Sequence, residues 1–203
     1  MKKIKRMSLL VVTFIAILFG STMVFAASQK SKAISAYKKY MASEPSTSEF
    51  ALIYLDNDSV PELVFRWKGF TFRNGKMKEL KPSGRAVFSS QYVLAGFEGY
   101  YKKTGILRTQ WGGGDFSWID YYAKMNGTKV KAVLAKSTVA DPITDYNNIT
   151  YHHEYYRQSG SAFKEMKSKS QFNNALKKYI NNNKYIKIKF RKNTASNRKK
   201  YLK

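Results

Sequence analysis

Three carboxylates, Asp56, Asp58 and Glu62, fall within seven residues of "LIYLDNDSVPELVF" in a chain with only 13 acidic against 37 basic side chains. Oxygen donors at alternate positions of a loop can converge on one hard cation, with a backbone carbonyl completing the set. The ligands so placed would be Asp56, Asp58, the Val60 carbonyl and Glu62. Pro61 stiffens the loop, and Leu63 is expected to plug into the core beneath it. The competing expectation is a tight turn in which Asn57 and Asp58 bond their own backbone. Spacing reveals no base or nucleophile beside them, so these acids are not read as a catalytic pair.

Other residue types offer less. His152 and His153 are consecutive, and on a strand consecutive side chains point to opposite faces, so the pair is unsuited to a shared zinc. There is no cysteine, and no G-x-S-x-G elbow for a serine nucleophile. "TQWGGGDFSW" sets Trp111 and Trp118 around three glycines with Asp115 and Phe116 between them. Aromatic platforms beside a polar group suit stacking on a sugar ring, so these four residues are a candidate ligand surface, with simple packing as the alternative. The segment 184–203 carries nine basic residues and no acid. Within it Lys187, Lys189, Arg191, Lys192, Arg198, Lys199 and Lys200 form a candidate polyanion-binding set.

The elements that must position these groups can be read from periodicity. Ala33, Ile34, Tyr37 and Met41 recur at helical spacing, and the helix should stop before Glu44-Pro45. Phe50 to Leu55 and Glu62 to Trp67 read as strands flanking the acidic turn. Asn74-Gly75, Asn126-Gly127 and Ser159-Gly160 each separate an aromatic segment from a lysine-rich one, the pattern of a hairpin. Gly96, Gly99 and Gly105 suggest further tight turns. Ser170 can cap a helix presenting Phe172, Leu176 and Ile180. Tyr185 to Phe190 alternates strictly, predicting one half-buried strand with Ile186, Ile188 and Phe190 inward. Thr194 to Leu202 suits a short last helix. The fold class expected is α+β: an N-terminal helix, a mostly antiparallel β-meander of hairpins, then a C-terminal helix and strand.

"LIYLDNDSVPELVF", followed by an aromatic strand and "NGKMKEL", resembles a group of uncharacterised exported proteins of clostridial-type bacteria. Those carry a single D-x-D-x-D-G-x-P-E-L loop akin to FG-GAP and dockerin calcium loops. The resemblance covers about Leu52 to Leu80, and "FRKNTASNRKKYL" is similar to the close of such chains. It implies a calcium loop between two strands of a β-rich domain and brings no activity with it. Tyr54 stands where the motif has its first aspartate, and Ser59 replaces its glycine. With one carboxylate fewer, affinity is expected at the weak extracellular end, about 10⁻⁴ to 10⁻³ M.

The start, "MKKIKRMSLLVVTFIAILFGSTMVFAASQK", has a basic cluster, an apolar run and small residues near Ala26, the layout of a secretory signal peptide. Domain boundaries are therefore expected at 1–26 for the leader and 27–203 for one β-rich domain with a basic end, the alternative being a retained membrane anchor. A formal net charge of +24 concentrates polyanions. For an exported chain the natural ones are anionic wall or glycan polymers rather than nucleic acid. The function expected is a secreted or surface-held, non-enzymatic interaction module. Its competitor is a secreted hydrolase of wall polymer or polysaccharide using Glu98, Asp115 and Asp120, which would need paired carboxylates about 5–9.5 Å apart in one cleft.

Overall fold

Helix α1 covers residues 28–43 and buries the four side chains that its spacing singles out, Ala33, Ile34, Tyr37 and Met41. They pack with Phe50, Leu63, Phe65, Phe70, Phe72 and Leu202 on one face of a small sheet. The computed structural model describes residues 28–87, 89–112, 117–141, 149–160 and 162–203, so the leader, Asp115 and Phe116 lie outside the described residues. Among these residues no helix is long and apolar enough to cross a membrane.

The small sheet is built from β1 (Glu49–Ile53), β2 (Glu62–Val64), β3 (Gly69–Arg73) and β4 (Lys76–Glu79), with β13 (Arg191–Lys192) on its outer edge, in the order β13-β1-β2-β3-β4. The larger sheet contains β6 (Phe97–Tyr101), β7 (Ile106–Gly112), β8 (Ser117–Asn126), β9 (Lys129–Ala140), β10 (Tyr151–Ser159), β11 (Ala162–Met166) and β12 (Tyr185–Lys187). Its order is β11-β10-β9-β8-β7-β6-β12, and β5 (Lys81–Pro82) adds in parallel to β9. The remaining pairings are antiparallel, as hairpin connections require.

Three apolar clusters stack these elements in four layers. One lies between α1 and the small sheet. A second fills the space between the sheets, with Ala51, Ile53, Leu55 and Val64 meeting Leu107, Ile119, Tyr121 and Met125. The third seats α2 (Lys169–Ile180) on the far face of the large sheet, where Phe172 and Ala175 touch Tyr101, Tyr122, Leu134 and Tyr155. Alternation of side chains along each strand lets one sheet serve two clusters at once. This is the expected α+β class: an N-terminal helix, mostly antiparallel strands, and a helical C-terminus.

Several local expectations change. The strict alternation of Tyr185 to Phe190 does not make one strand: β12 is exposed throughout, Ile188 alone is fully buried, and the chain leaves the large sheet to join the small one as β13. Ile186 consequently stays 37% exposed. The cap of α2 is Ser168, whose side chain accepts from Gln171 N–H, rather than Ser170. The second hairpin turns one residue later than expected: Asn126 pairs with Lys129, leaving Gly127 and Thr128 as the loop, with Gly127 at φ 62°. Gly99 is a strand residue, not a turn, and the Tyr185 ring lies over it. Helix α3 (Ala195–Tyr201) forms where expected, capped by Thr194.

Candidate functional site

The acidic loop runs from the end of β1 to the start of β2, so both ends of it are fixed by one antiparallel pair. One oxygen each from Asp56, Asp58 and Glu62 comes within 4.8 Å of the others, a set that could hold a metal ion. The loop also closes on itself as an Asx-rich turn, through Asp56 and Asp58 rather than the expected Asn57 and Asp58. Asp58 N–H donates to Asp56 Oδ1 at 3.1 Å, and Val60 N–H to Asp58 Oδ1 at 2.8 Å. Val60 is buried, and Pro61 offers its carbonyl to the Tyr37 hydroxyl of α1 at 2.9 Å. Leu63 sits in the core, as its place in the motif suggests.

Glu62 is wholly buried. Its Oε2 accepts from Leu55 N–H at 3.0 Å and its Oε1 from the Thr71 hydroxyl at 3.2 Å. Burial, reinforced by the neighbouring Asp56 charge, pushes its carboxyl up to about 8. Asp58 is raised as well, chiefly by burial, and Tyr37 is raised by burial and then by Glu62. The positive charge here comes from β3. The Arg73 guanidinium pairs with Asp56 and lies 3.6 Å from Asp58 Oδ2. Neither spacing nor motif pointed to Arg73; only the pairing of β3 beside β2 brings it to the loop. Three hard oxygen donors suit a hard cation, with Arg73 standing as its competitor.

The basic C-terminal residues divide by role. Lys187 and Lys189 line a cavity of about 360 Å³ together with Phe50, Leu52, Ile186, Arg191 and Tyr201. Arg191 and Lys200 lie over the Tyr201 ring at 5.5 and 5.3 Å. Arg198 is held by Asn193, donating to its Oδ1 at 2.8 Å. Lys192 and Lys199 are exposed. Among the described residues none of the seven is ion-paired with a carboxylate.

The two tryptophans are not brought together. Trp111 pairs across the ladder with Ile119 and Trp118 with Gly112, so the indoles fall on opposite faces of the large sheet. Trp111 stacks on Tyr92 at 4.1 Å between ring centres, whereas Trp118 tilts against Tyr151 at 5.5 Å. Of the acids weighed for hydrolysis, Asp120 is buried and held by Arg108, whose Nη2 donates to both its oxygens at 3.0 and 2.9 Å, and by Gln110 at 3.1 Å. Glu98 lies on β6 at the irregular step between Phe97 and Gly99. The histidines separate as expected: His153 meets Thr138 at 3.1 Å and His152 meets Asp141 at 2.7 Å.

One exposed aromatic escaped the sequence reading. Trp67, 69% exposed, stands at the tip of the β2–β3 hairpin beside a concavity of about 390 Å³. Its signal was the cationic pair around it in "FRWKGF", which an inward-facing strand end would not carry.

No family model matches the chain, and no curated protein matches it. A solved structure, described as that of a Xanthomonas Type IV secretion system related protein, is similar over 59% of this chain at 11% identity and a TM-score of 0.40. The match spans 58% of that protein's own length.

Proposed function

We propose that this chain is an exported, non-enzymatic interaction module that binds anionic wall or glycan polymers, and that it belongs with the exported clostridial-type proteins its acidic loop resembles. The observation that carries the binding reading is the C-terminal segment. Three of its basic side chains, Lys187, Lys189 and Arg191, line a cavity together with apolar residues, and no carboxylate among the described residues is ion-paired with the seven candidates. An unpaired cationic surface attracts a polyanion over about a Debye length, roughly 10 Å in 0.1 M salt. The hydrolytic alternative is less well supported, because Asp120 is already engaged by Arg108 and Gln110.

The Asp56 to Glu62 loop serves this module as a weak Ca²⁺ site. Asp56, Asp58 and Glu62 would hold the ion, which would stiffen the β1–β2 connection without taking part in any reaction. Ligand binding of this kind stabilises by mass action.

Retention on immobilised lipoteichoic acid or heparin tests the main reading. Elution should move to lower salt when Lys187, Lys189 and Lys192 are together replaced by glutamate, with the thermal midpoint unchanged. Retention that ignores both salt and this charge reversal overturns it.

A further inference from the structure

The hairpin joining β2 to β3 is short and rigid. Phe65 N–H donates to the Lys68 carbonyl at 2.8 Å, leaving Arg66 and Trp67 as the tip, and Phe97 N–H donates to the Arg66 carbonyl at 2.9 Å, pinning that tip to β6. One edge of the indole backs onto Gly96, where an added Cβ would lie 3.6 Å from its Cζ3. Most of the ring nevertheless faces solvent, since Trp67 is 69% exposed, the largest value among the exposed large apolar side chains described. A bulky ring held still and left uncovered costs apolar hydration that folding could have removed.

Its surroundings state what would cover it. Glu44, Thr47, Ser48, Glu49 and Arg66 line the adjoining concavity of about 390 Å³. Both flanking cations are tied to carboxylates. Arg66 Nε donates to Glu49 at 3.1 Å while its guanidinium lies 4.9 Å over Phe190, and Lys68 Nζ donates to Glu44 at 2.8 Å and to Tyr40 at 2.9 Å. Two cations and two anions leave this concavity formally neutral on a chain of net charge +24. An anionic membrane surface or polyanion would gain nothing here that the basic C-terminal face does not offer better. Carboxylates and hydroxyls beside an indole instead match a ring with C–H groups on one face and hydroxyls at its edge, because the carboxylates accept what the ring donates.

We propose that Trp67 and the rim formed by Glu44, Thr47, Ser48 and Glu49 make a binding site for an uncharged pyranose unit of a glycan. The site shares no residue with the basic C-terminal face, so it deepens the glycan-binding reading while standing or falling separately from the polyanion one.

Intrinsic fluorescence of the full chain tests it, with cellotetraose and chitotetraose as probes and Trp67→Ala as the reference, since Trp67 is one of three tryptophans. The expected result is a saturable change with at least one sugar, unaltered in about 0.5 M NaCl, where exposed charges are screened. By calorimetric titration, which needs no Trp67 emission, Trp67→Ala should weaken binding tenfold or more and Trp67→Phe less, both with unchanged thermal midpoints and unchanged retention on heparin. No saturable change with either sugar overturns the proposal, as does an equal change in Trp67→Ala. A Trp67 signal seen only with phosphatidylglycerol vesicles overturns it in favour of a membrane contact. Sugar binding without heparin retention would leave this site intact and remove the polyanion reading.

Discussion

The guanidinium of Arg73, at the end of β3, lies against the Asp56 carboxylate and reaches Asp58 at 3.6 Å, so a protein cation sits where the acidic loop would receive a metal ion. Arg73 Nε is buried with no hydrogen-bond partner among the described residues, so the side chain is committed to the loop by charge and not by a complete hydrogen-bond set. Replacing it should trade one cation for another. In chelator, Arg73→Gln lowers the thermal midpoint, because the Asp56 and Asp58 carboxylates then lie together without their cation. In millimolar Ca²⁺ the variant should gain more than the parent chain, whose own gain is expected at about 1–2 °C for an ion near its dissociation constant. Asp56→Asn with Asp58→Asn should abolish both gains. A Ca²⁺ shift in Arg73→Gln no larger than the parent's would show that the guanidinium and the ion do not compete.

Glu62 makes the metal-free chain sensitive to pH. Its carboxyl titrates near 4.5 when unfolded and is pushed up to about 8 by burial in the fold, with the Asp56 charge adding to the effect. Between those values the folded chain holds a proton that the unfolded chain has released, so stability falls as pH rises through this window and levels off above it. The loss is on the order of a few kcal/mol. Urea unfolding in chelator from pH 5 to 9 should therefore show a decline that Glu62→Gln removes. Ca²⁺ should reverse the decline, since binding the ion favours the ionised form. A decline that persists in Glu62→Gln would assign it to another group.

What was legible in the sequence was what neighbouring residues decide among themselves. The helical spacing of Ala33, Ile34, Tyr37 and Met41 marked the buried face of α1, and Asn74-Gly75 marked a turn whose residues adopt φ 55° and 73°. The acids of the loop lie close in sequence and could be gathered without knowing the sheet. The rest depended on which strand lies beside which. Arg73 meets Asp56 only because β3 pairs with β2, and Trp111 parts from Trp118 only because of the β7–β8 register. "YIKIKF" has the period of one strand, yet only Tyr185–Lys187 pair with the large sheet and the chain joins the small sheet just beyond it, at Arg191–Lys192, a choice about which local pattern carries no information.

Asn193 joins the two ends of the chain. Buried to 1% exposure, its amide donates to the carbonyls of Met41, Glu44 and Pro45 at 2.8, 2.9 and 3.2 Å, while its Oδ1 accepts from Arg198. It thereby satisfies the carbonyls at the C-terminal end of α1, which the helix itself cannot. Asn193→Ala should cost about 1–3 kcal/mol by removing the amide donor from the Met41 and Glu44 carbonyls. Asn193→Asp keeps the shape but turns an oxygen toward the carbonyls, and should cost at least as much at neutral pH. Urea unfolding of the two variants measures this; an aspartate variant as stable as the parent would mean that the amide fills space and does not cap.

Gly99 determines whether β12 stays on the large sheet. Tyr185 pairs with Tyr101 in the ladder, and its ring crosses toward Gly99, so a Cβ there would stand 2.3 Å from the ring atoms. Arg108 lies 5.6 Å from the centre of that ring, and Tyr101 packs edge-on at 5.7 Å. Tyr185 is 37% exposed, so Gly99→Ala is expected to push its ring outward, away from Arg108 and Tyr101, instead of unfolding the sheet. The cost is the lost ring contacts, about 1–2 kcal/mol. β12 is three residues long and held on one side by β6, so losing the ring weakens its hold directly. Hydrogen exchange at Tyr185 to Lys187 should speed up in Gly99→Ala while β8 and β9 keep their protection. Because the same segment carries Lys187 and leads to Lys189 and Arg191, retention on heparin should weaken alongside. Faster exchange without weaker retention would separate the basic face from the strand that presents it.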